Sequence, residues 1–236
     1  MNLFSWLRPA TAPTLSEAQS QRLAALPRPE PWQNIALKAQ RWVVVDVETT
    51  GLNVNRDQVL SIGAVVLENG AVTLRNGFER TLRRTEQKAT PSVLIHGLSP
   101  NALAAGSVPA DALLDFLEYL GSSPLLAFHA PFDQRMLARA MKESLGYRFE
   151  HPFLDMAELA PMLNAQGPAH PAGLDDWIAW FGLEVGERHH AAADALVTAE
   201  LAMLVLSQAR RQEISTPALL EQSVSQWRRR RQTQSF

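Results

Sequence analysis

The apolar positions in the first half of the chain fall into short continuous runs. The earliest run, residues 42–48, is rich in valine and ends at Thr-Thr-Gly, and a second covers residues 59–67. An Asn-Gly pair at 69–70 then leads into residues 71–82. Runs of β-branched residues bounded by turn residues are typical of strands, and Asn-Gly is a strong hairpin signal. This region therefore predicts three strands in meander order.

The second half alternates strand-like and helix-like segments. Residues 111–120 place five large apolar side chains on one helical face, and a short apolar run follows at 125–128. Four further elements are predicted after it: a helix from about Pro131, an apolar run around 153–155, a helix around 174–181 and an alanine-rich helix over about 191–210. Strands that come first and then alternate with helices predict an α/β fold with a mixed central β-sheet flanked by helices.

The two ends of the chain differ in composition from the middle. Prolines at 27, 29 and 31 are too dense for a helix or strand interior, and Thr14 with Glu17 has the spacing of a capping box for a helix through about Leu26. Residues 211–236 predict a short helix containing Val224 and Trp227, followed by a solvated tail with four arginines. We therefore divide the chain into a helical, proline-rich extension (1–40), one domain (41–210) and a C-terminal helix with a basic tail (211–236).

Composition narrows the chemistry. The 236 residues, 46% of them hydrophobic, suffice for one substantial core, and the absence of cysteine excludes disulfides, thiolate metal sites and cysteine nucleophiles. Since we find no apolar run of membrane-spanning length and no secretory signal, we predict a soluble, cytoplasmic protein without a membrane partner. With 22 basic and 24 acidic residues, the net charge of −2 does not by itself indicate a nucleic-acid binder, so a polyanion must be held locally.

Asp46 and Glu48 lie two residues apart on the first predicted strand. Side chains with this spacing point to the same face of a strand, so the two carboxylates repel each other at the end of an apolar segment. A divalent cation is a common way to neutralise such a pair, and magnesium or manganese suits all-oxygen ligands. The alternative is a solvated strand end.

Two further acids follow apolar segments. Asp133 comes shortly after the run at 125–128, and Asp194 lies in the first turn of the alanine-rich helix, five residues after His189. Each of them could instead be an ordinary first-turn acid that the helix dipole favours.

Taken in order, these segments resemble the DnaQ-like, or DEDDh, family of 3′→5′ exonucleases, which includes the proofreading subunit of bacterial replicative polymerases. The resemblance covers about residues 41–208 and implies an RNase H-like fold. It rests on Val-Asp-Val-Glu-Thr-Thr-Gly-Leu at 45–52, Leu-Ser-Ile-Gly-Ala at 60–64, Ile-His-Gly-Leu at 95–98, Ala-Pro-Phe-Asp at 130–133, and His189 with Asp194. One departure is Phe-His-Ala at 128–130, where the proofreading subgroup usually reads His-Asn-Ala.

The resemblance implies catalysis with two divalent cations, Mg²⁺ or Mn²⁺. Asp46 would bridge them, Glu48 and Asp194 would complete one site, and Asp133 would hold the other ion through water. His189 would take the proton from the attacking water. The substrate contacts that the resemblance implies are Thr49, Thr50, Gly51, Leu52, His96 and Phe132. For Thr50 and His96, a structural role in a loop is the alternative.

The resemblance implies the 3′ end of single-stranded DNA as the substrate and partner. An RNA 3′ exonuclease of the same fold is one alternative, and a non-catalytic module that binds nucleic acid or a polymerase is a second. A proofreading role would require a polymerase partner on another chain. The last five residues, Gln-Thr-Gln-Ser-Phe, loosely resemble the peptides that dock on bacterial sliding clamps.

Overall fold

The structure, a computed structural model, describes residues 13–84, 97–169, 171–186 and 188–234. The strands within these ranges are β1 (Trp42–Thr49), β2 (Val59–Glu68), β3 (Ala71–Thr81), β4 (Leu125–Ala127) and β5 (Phe153–Asp155). The helices are α1 (Glu17–Ala24), α2 (Pro100–Ala105), α3 (Pro109–Leu120), α4 (Ala130–Leu145), α5 (Met156–Leu163), α6 (Leu174–Phe181), α7 (Ala191–Arg211) and α8 (Pro217–Gln234).

The strands form one sheet in the order β3-β2-β1-β4-β5. The meander β1-β2-β3 is antiparallel, whereas β4 and β5 extend the sheet parallel to β1. The predicted mixed sheet is therefore confirmed. The carboxyl ends of β1, β4 and β5 meet at one edge of the sheet, and in open α/β folds this is the edge where ligands bind.

Helices cover both faces of the sheet, which explains why β1 reads as a continuous apolar run. Val43, Val45 and Val47 pack with α3 and α4 on one face, while Trp42 and Val44 pack with α5, α7 and α8 on the other. A strand buried on both faces needs apolar residues at successive positions. Even-numbered positions of β1 therefore face α7, and Asp46 and Glu48 share that parity.

Helix α7 is, within the residues that the structure describes, long and apolar enough to cross a membrane by length and composition. However, 56% of its most apolar window is buried inside the fold. Leu201 and Val205 belong to the core cluster on the α7 face of the sheet. Its hydrophobicity is that of a core helix.

The first helix begins two residues later than predicted. Ser16 is its N-cap, and the capping box joins Ser16 to Gln19, so the assignment to Thr14 and Glu17 was wrong. The helix ends at Ala24. Thr14 with Glu17 and Ser16 with Gln19 have the same spacing, so the sequence alone does not choose between them. In the structure, Gln19 contacts Asp111 at 2.8 Å and Arg22 contacts Asp115 at 2.6 Å. These contacts bind α1 to α3.

The C-terminal helix is longer than predicted, and the arginines are part of it although their side chains are exposed. The C-terminal helix α8 continues through the arginines to Gln234. Leu220 and Val224 are buried, and Arg228, the next position at a spacing of four, pairs with Glu158 of α5. Because one face of the helix is anchored at successive turns, the arginines are held in helical conformation.

Candidate active site

Strand β1 delivers the first two acids to the carboxyl edge of the sheet. Asp46 and Glu48 contribute oxygens that lie, together with an oxygen of Asp194, within 4.8 Å of one another. The pairing of β1 with β2 shifts register between Glu48 and Thr49, where the ordered ladder ends. The three acids therefore come from a strand end and from a helix that packs on the same face.

Helix α7 brings Asp194 to this cluster through a close approach to β2. Gly63 lies opposite Asp46 in the β1–β2 register, and a Cβ at position 63 would lie 2.1 Å from the backbone carbonyl carbon of Ala191. A side chain there would push the start of α7 away from the sheet. His190, the N-cap of α7, also contacts Glu79 of β3 at 3.1 Å.

His189 precedes the N-cap residue of this helix and lies in the left-handed region, with φ of 63°. Its backbone N–H donates to the Asp194 carboxylate at 3.0 Å, and its exposed side chain lines the cleft. Non-glycine residues adopt this conformation mainly where the surroundings impose it. The turn therefore fixes His189 beside the acids.

Helix α4 supplies Asp133, which is only 3% exposed. This helix also starts after a left-handed histidine, His129, with φ of 62°. The His129 N–H donates at 2.9 Å to the carboxylate of Asp155, and the Ala157 N–H donates to the same oxygen, also at 2.9 Å. Asp155 thus holds the starts of two helices.

Sequence reasoning missed Asp155 and His129 as parts of the site. Asp155 ends the predicted apolar run at 153–155, and this position, an acid at the carboxyl end of a strand, was an available signal. His129 lines the cleft beside Phe128 and Phe132. The departure from the family phrase at 128–130 therefore places a second imidazole in the cleft.

The clustered carboxyls have perturbed acidities. Desolvation raises the pKa of Asp46 well above its usual range, and the charges of Asp133, Glu48 and Asp194 raise it further. Burial likewise raises the pKa of Asp133, although backbone hydrogen bonds, including one from Val47, oppose the shift. The metal-free cluster therefore favours protonation or a compensating cation.

Arg188 supplies one compensating charge. Its guanidinium pairs with the Asp194 carboxylate and, at 2.7 Å, with Asp175 in the first turn of α6. Burial raises the pKa of Asp194, and the positive charge of Arg188 lowers it. Sequence reasoning did not single out Arg188, because nothing in the sequence pairs it with an acid 13 residues earlier.

The donor set fits divalent cations. Asp46, Glu48 and Asp194 offer converging carboxylate oxygens, and Asp133 lines the same cleft. Hard cations such as Mg²⁺ and Mn²⁺ prefer oxygen ligands, and carboxylates that repel each other gain most from such an ion. The four acids predicted from the sequence therefore meet in one place.

The cleft above the acids has a volume of about 780 Å³. Four of the predicted substrate contacts line it: Thr49 at the end of β1, Gly51 and Leu52 on the loop that follows, and Phe132 of α4. Leu52 is 86% exposed. An exposed leucine at the rim and an aromatic ring inside can pack against the faces of bases.

Thr50 is engaged inside its own loop. Its hydroxyl donates to Asp57 at 3.1 Å and accepts from the Gln58 N–H at 2.9 Å. A Cβ at Gly51 would lie 2.6 Å from the same Asp57 carboxylate, so the loop closes tightly around this acid. His96 lies outside the residues that the structure describes.

A cleft in which four acids converge at the carboxyl edge of a mixed sheet, beside an exposed histidine, is typical of a nuclease. The family model of the RNase T exonucleases matches residues 43–202, and the chain belongs to this exonuclease family. The predicted DnaQ-like resemblance and enzyme class are confirmed.

Similar proteins include the DNA polymerase III PolC-type of Thermotoga petrophila, which is 30% identical over 160 residues. The alignment covers 68% of this chain and 11% of that protein. The protein of the same name from Staphylococcus aureus is 27% identical over 177 residues, covering 75% of this chain and 12% of the relative. The chain thus spans a small part of the length of these relatives.

Solved structures show the same fold. E. coli Exonuclease I in complex with a dT13 oligonucleotide aligns with a TM-score of 0.62 at 19% identity, covering 73% of this chain and 42% of that one. Cell-death related nuclease 4 aligns with a TM-score of 0.61 at 14% identity, covering 72% and 64%. The predicted RNase H-like fold is confirmed.

Proposed function

We propose that this protein hydrolyses single-stranded DNA from the 3′ end, using two divalent cations and His189 as general base. The observation that carries the proposal is the convergence of Asp46, Glu48 and Asp194 within 4.8 Å, in a cleft that His189 also lines. Repelling carboxylates at an open cleft favour cations and therefore a substrate with phosphates.

The four acids would hold the two cations. Asp46, Glu48 and Asp194 would hold one cation, and Asp133, which lines the same cleft, would help Asp46 to hold the second. When bound, the two ions supply the charge that makes a water more acidic and offsets the charge on the departing 3′ oxygen. The acids themselves set where this positive charge is concentrated.

His189 would accept the proton of the attacking water. An imidazole is the side chain suited to proton transfer near neutral pH, and this one is exposed to the cleft. The hydrogen bond from its backbone N–H to Asp194 fixes it relative to a cation ligand. Proton acceptor and metal site are thus connected through a single turn.

The open cleft suits one strand better than a duplex. Leu52 and Phe132 would pack on the terminal bases, and the backbone of Thr49 and Gly51 would contact the last nucleotide. The fold match to an exonuclease that holds a dT13 oligonucleotide supports DNA as the substrate. His96 remains a proposed substrate contact.

The setting of the reaction is also part of the proposal. The PolC-type relatives favour a polymerase as partner and a cytoplasmic location. A sliding clamp remains a proposed partner through residues 232–236, of which 235 and 236 lie outside the described residues.

The test is digestion of 5′-labelled DNA and RNA oligonucleotides of equal sequence, with manganese or with chelator. We expect a metal-dependent ladder that shortens from the 3′ end, faster on DNA, and that Asp46→Ala abolishes. The control is Glu150→Ala, which removes an exposed acid next to the amino end of β5. A faster ladder on RNA would change the substrate to RNA. Intact oligonucleotides with folded wild-type protein would refute the proposal and favour a binding module.

A further inference from the structure

Helix α8 carries its arginines to the edge of the sheet where the cleft lies. Helix α7 begins at the cleft and runs away from it for 21 residues, about 31 Å at 1.5 Å per residue. After a short connection, α8 packs through Leu220 and Val224 into the core cluster that contains α7 residues and runs for 18 residues, about 27 Å. The first half of α8 is thus held in this core, and the arginines lie beyond it on the last turns of the same helix.

Arg228 positions the last turns of α8 relative to the cleft. Its Nε lies 2.7 and 2.8 Å from the two carboxylate oxygens of Glu158, in the first turn of α5. Glu158 is three residues after Asp155, which accepts the N–H of the cleft residue His129. The pKa of Arg228 is raised mainly by its hydrogen bonds to Glu158, and the charge of Asp155 adds to the shift. Arg228 thus lies beside the helix starts that border the cleft.

The three arginines that follow are exposed on the last turns of α8. Arg229, Arg230 and Arg231 continue past the Glu158 contact, and the Arg231 guanidinium lies 4.8 Å from the centre of the Trp227 ring. The cleft itself is lined with acids, and the whole chain carries a net charge of −2. A polyanionic strand therefore gains little attraction from the protein as a whole, and much more from a local positive surface next to the cleft.

We propose that Arg229, Arg230 and Arg231, the α8 arginine surface, bind backbone phosphates of a single DNA strand whose 3′ end occupies the acidic cleft. This inference rests on the proposed function for the direction of the strand. The surface lies outside residues 43–202, the part matched by the exonuclease family. It adds affinity for nucleotides upstream of the scissile bond and leaves the chemistry to the cleft.

The test compares Arg229→Ala/Arg230→Ala with the wild type on dT20 and dT3. We expect the KM for dT20 to rise about tenfold, as for a loss of about 1.4 kcal/mol, with kcat unchanged and with unaltered hydrolysis of dT3. Binding of fluorescent dT20 in chelator should also lose salt dependence, with the slope of log K against log salt falling by about 1.4 for two phosphate contacts. This binding readout does not require catalysis.

Two matched variants sharpen the test. Arg28→Ala/Arg148→Ala removes the same charge from exposed arginines that line a groove at the amino-terminal side of β5, and we expect dT20 binding like that of the wild type. Arg229→Lys/Arg230→Lys keeps the charge and should retain affinity, because lysine also contacts phosphate as a point charge. If Arg229→Ala/Arg230→Ala is unstable, the single variant Arg230→Ala replaces it. We then expect weaker dT20 binding at an unchanged melting temperature.

The outcomes separate the two proposals. A KM for dT20 and a salt slope equal to those of the Arg28/Arg148 control would overturn the α8 arginine surface, as would equal losses on dT3 and dT20. If the wild type hydrolyses neither substrate but dT20 binding still depends on Arg229 and Arg230, the arginine surface stands and the proposed catalysis fails.

Discussion

Two helices enter the cleft in the same way but are held differently. Both α4 and α7 begin after a left-handed histidine, His129 and His189, and both place an aspartate in the first turn. At α4, the carboxylate of Asp155 accepts a hydrogen bond from the His129 N–H and so fixes the turn. At α7, the His189 N–H donates to Asp194 itself.

The difference lies in what each aspartate must do besides hold a cation. Asp133 has a separate buried residue to fix its helix, so its carboxylate does not hold the histidine turn. Asp194 both shapes its turn and pairs with Arg188, so its geometry depends on its own charge. We infer that the α4 side of the cleft is preformed, whereas the α7 side is set by electrostatics and responds to bound cations.

The largest effect should separate the two histidines. We expect His189→Ala to lower kcat about a thousandfold through loss of the general base, and His129→Ala to lower it less than about tenfold. Single-turnover digestion of a 5′-labelled oligonucleotide with manganese measures both. Equal losses in the two variants would contradict the assignment of His189 and make the two helix starts functionally alike.

The second prediction concerns the hydrogen bonds by which Asp155 holds the start of α4. Asp155→Ala leaves the N–H groups of His129 and Ala157 without their acceptor, and we expect a loss of about 3 kcal/mol in the free energy of unfolding. Asp155→Asn keeps an acceptor oxygen and should recover most of it. Chemical denaturation measures both variants, and manganese titration should show weaker binding in the alanine variant. If Asp155→Ala is as stable as the wild type, the start of α4 does not depend on these hydrogen bonds.

The sequence predicted what short-range patterns encode. The valine run of β1, the Asn-Gly hairpin and the helical face of α3 each lie within one segment, and all three were found at or near the expected positions. Spacing by two also placed Asp46 and Glu48 on one face. Helices α2 and α5 were not predicted, because one has six residues and the other follows β5 directly, which leaves little periodicity to read.

The contacts that shape the site join distant segments and leave no local pattern. Asp155 reaches a backbone N–H 26 residues earlier, and Arg188 reaches Asp175 across an intervening loop. Gly63 matters because α7 lies against it, and a glycine in an apolar strand does not reveal which helix will approach. Residue types at motif spacing thus predicted the acids, whereas the groups that position them became visible only through tertiary packing.

The third effect tests the electrostatic control of α7. Arg188→Ala removes the cation that already neutralises Asp194, so a divalent ion no longer competes with it. We expect manganese to bind about tenfold more tightly, a gain of about 1.4 kcal/mol, and the metal-free protein to melt at a lower temperature. Calorimetric titration and thermal melts in chelator measure the two effects.

Asp175→Ala is the matched control for this prediction. It removes the other partner of Arg188 and leaves the pair with Asp194 in place, so manganese affinity should stay near the wild-type value. Weaker manganese binding in Arg188→Ala would mean that the arginine supports the ion, and the α7 side would then be as preformed as the α4 side.

The smallest effect is the pH dependence of the metal-free protein. The pKa of Asp46 is raised in the fold, so the folded state binds more protons than the unfolded state between the ordinary carboxyl value of about 4 and the raised value. Within that window stability increases as pH falls, and it is lost as pH rises through the folded pKa. Burial lowers the pKa of His151, which acts in the opposite direction as pH falls, so comparison with a variant is needed.

Asp46→Asn provides that comparison, because it keeps the shape and cannot titrate. In chelator, lowering the pH from 8 to 5 should raise the melting temperature of the wild type by a few degrees relative to Asp46→Asn, since the His151 contribution is common to both. With saturating manganese the wild type should lose this rise on acidification, because a bound cation keeps the carboxylates charged. If the melting temperatures of the two proteins change equally with pH in chelator, the prediction is wrong. Repulsion among the acids would then already be relieved without metal, with Arg188 supplying enough charge for both sides of the cleft.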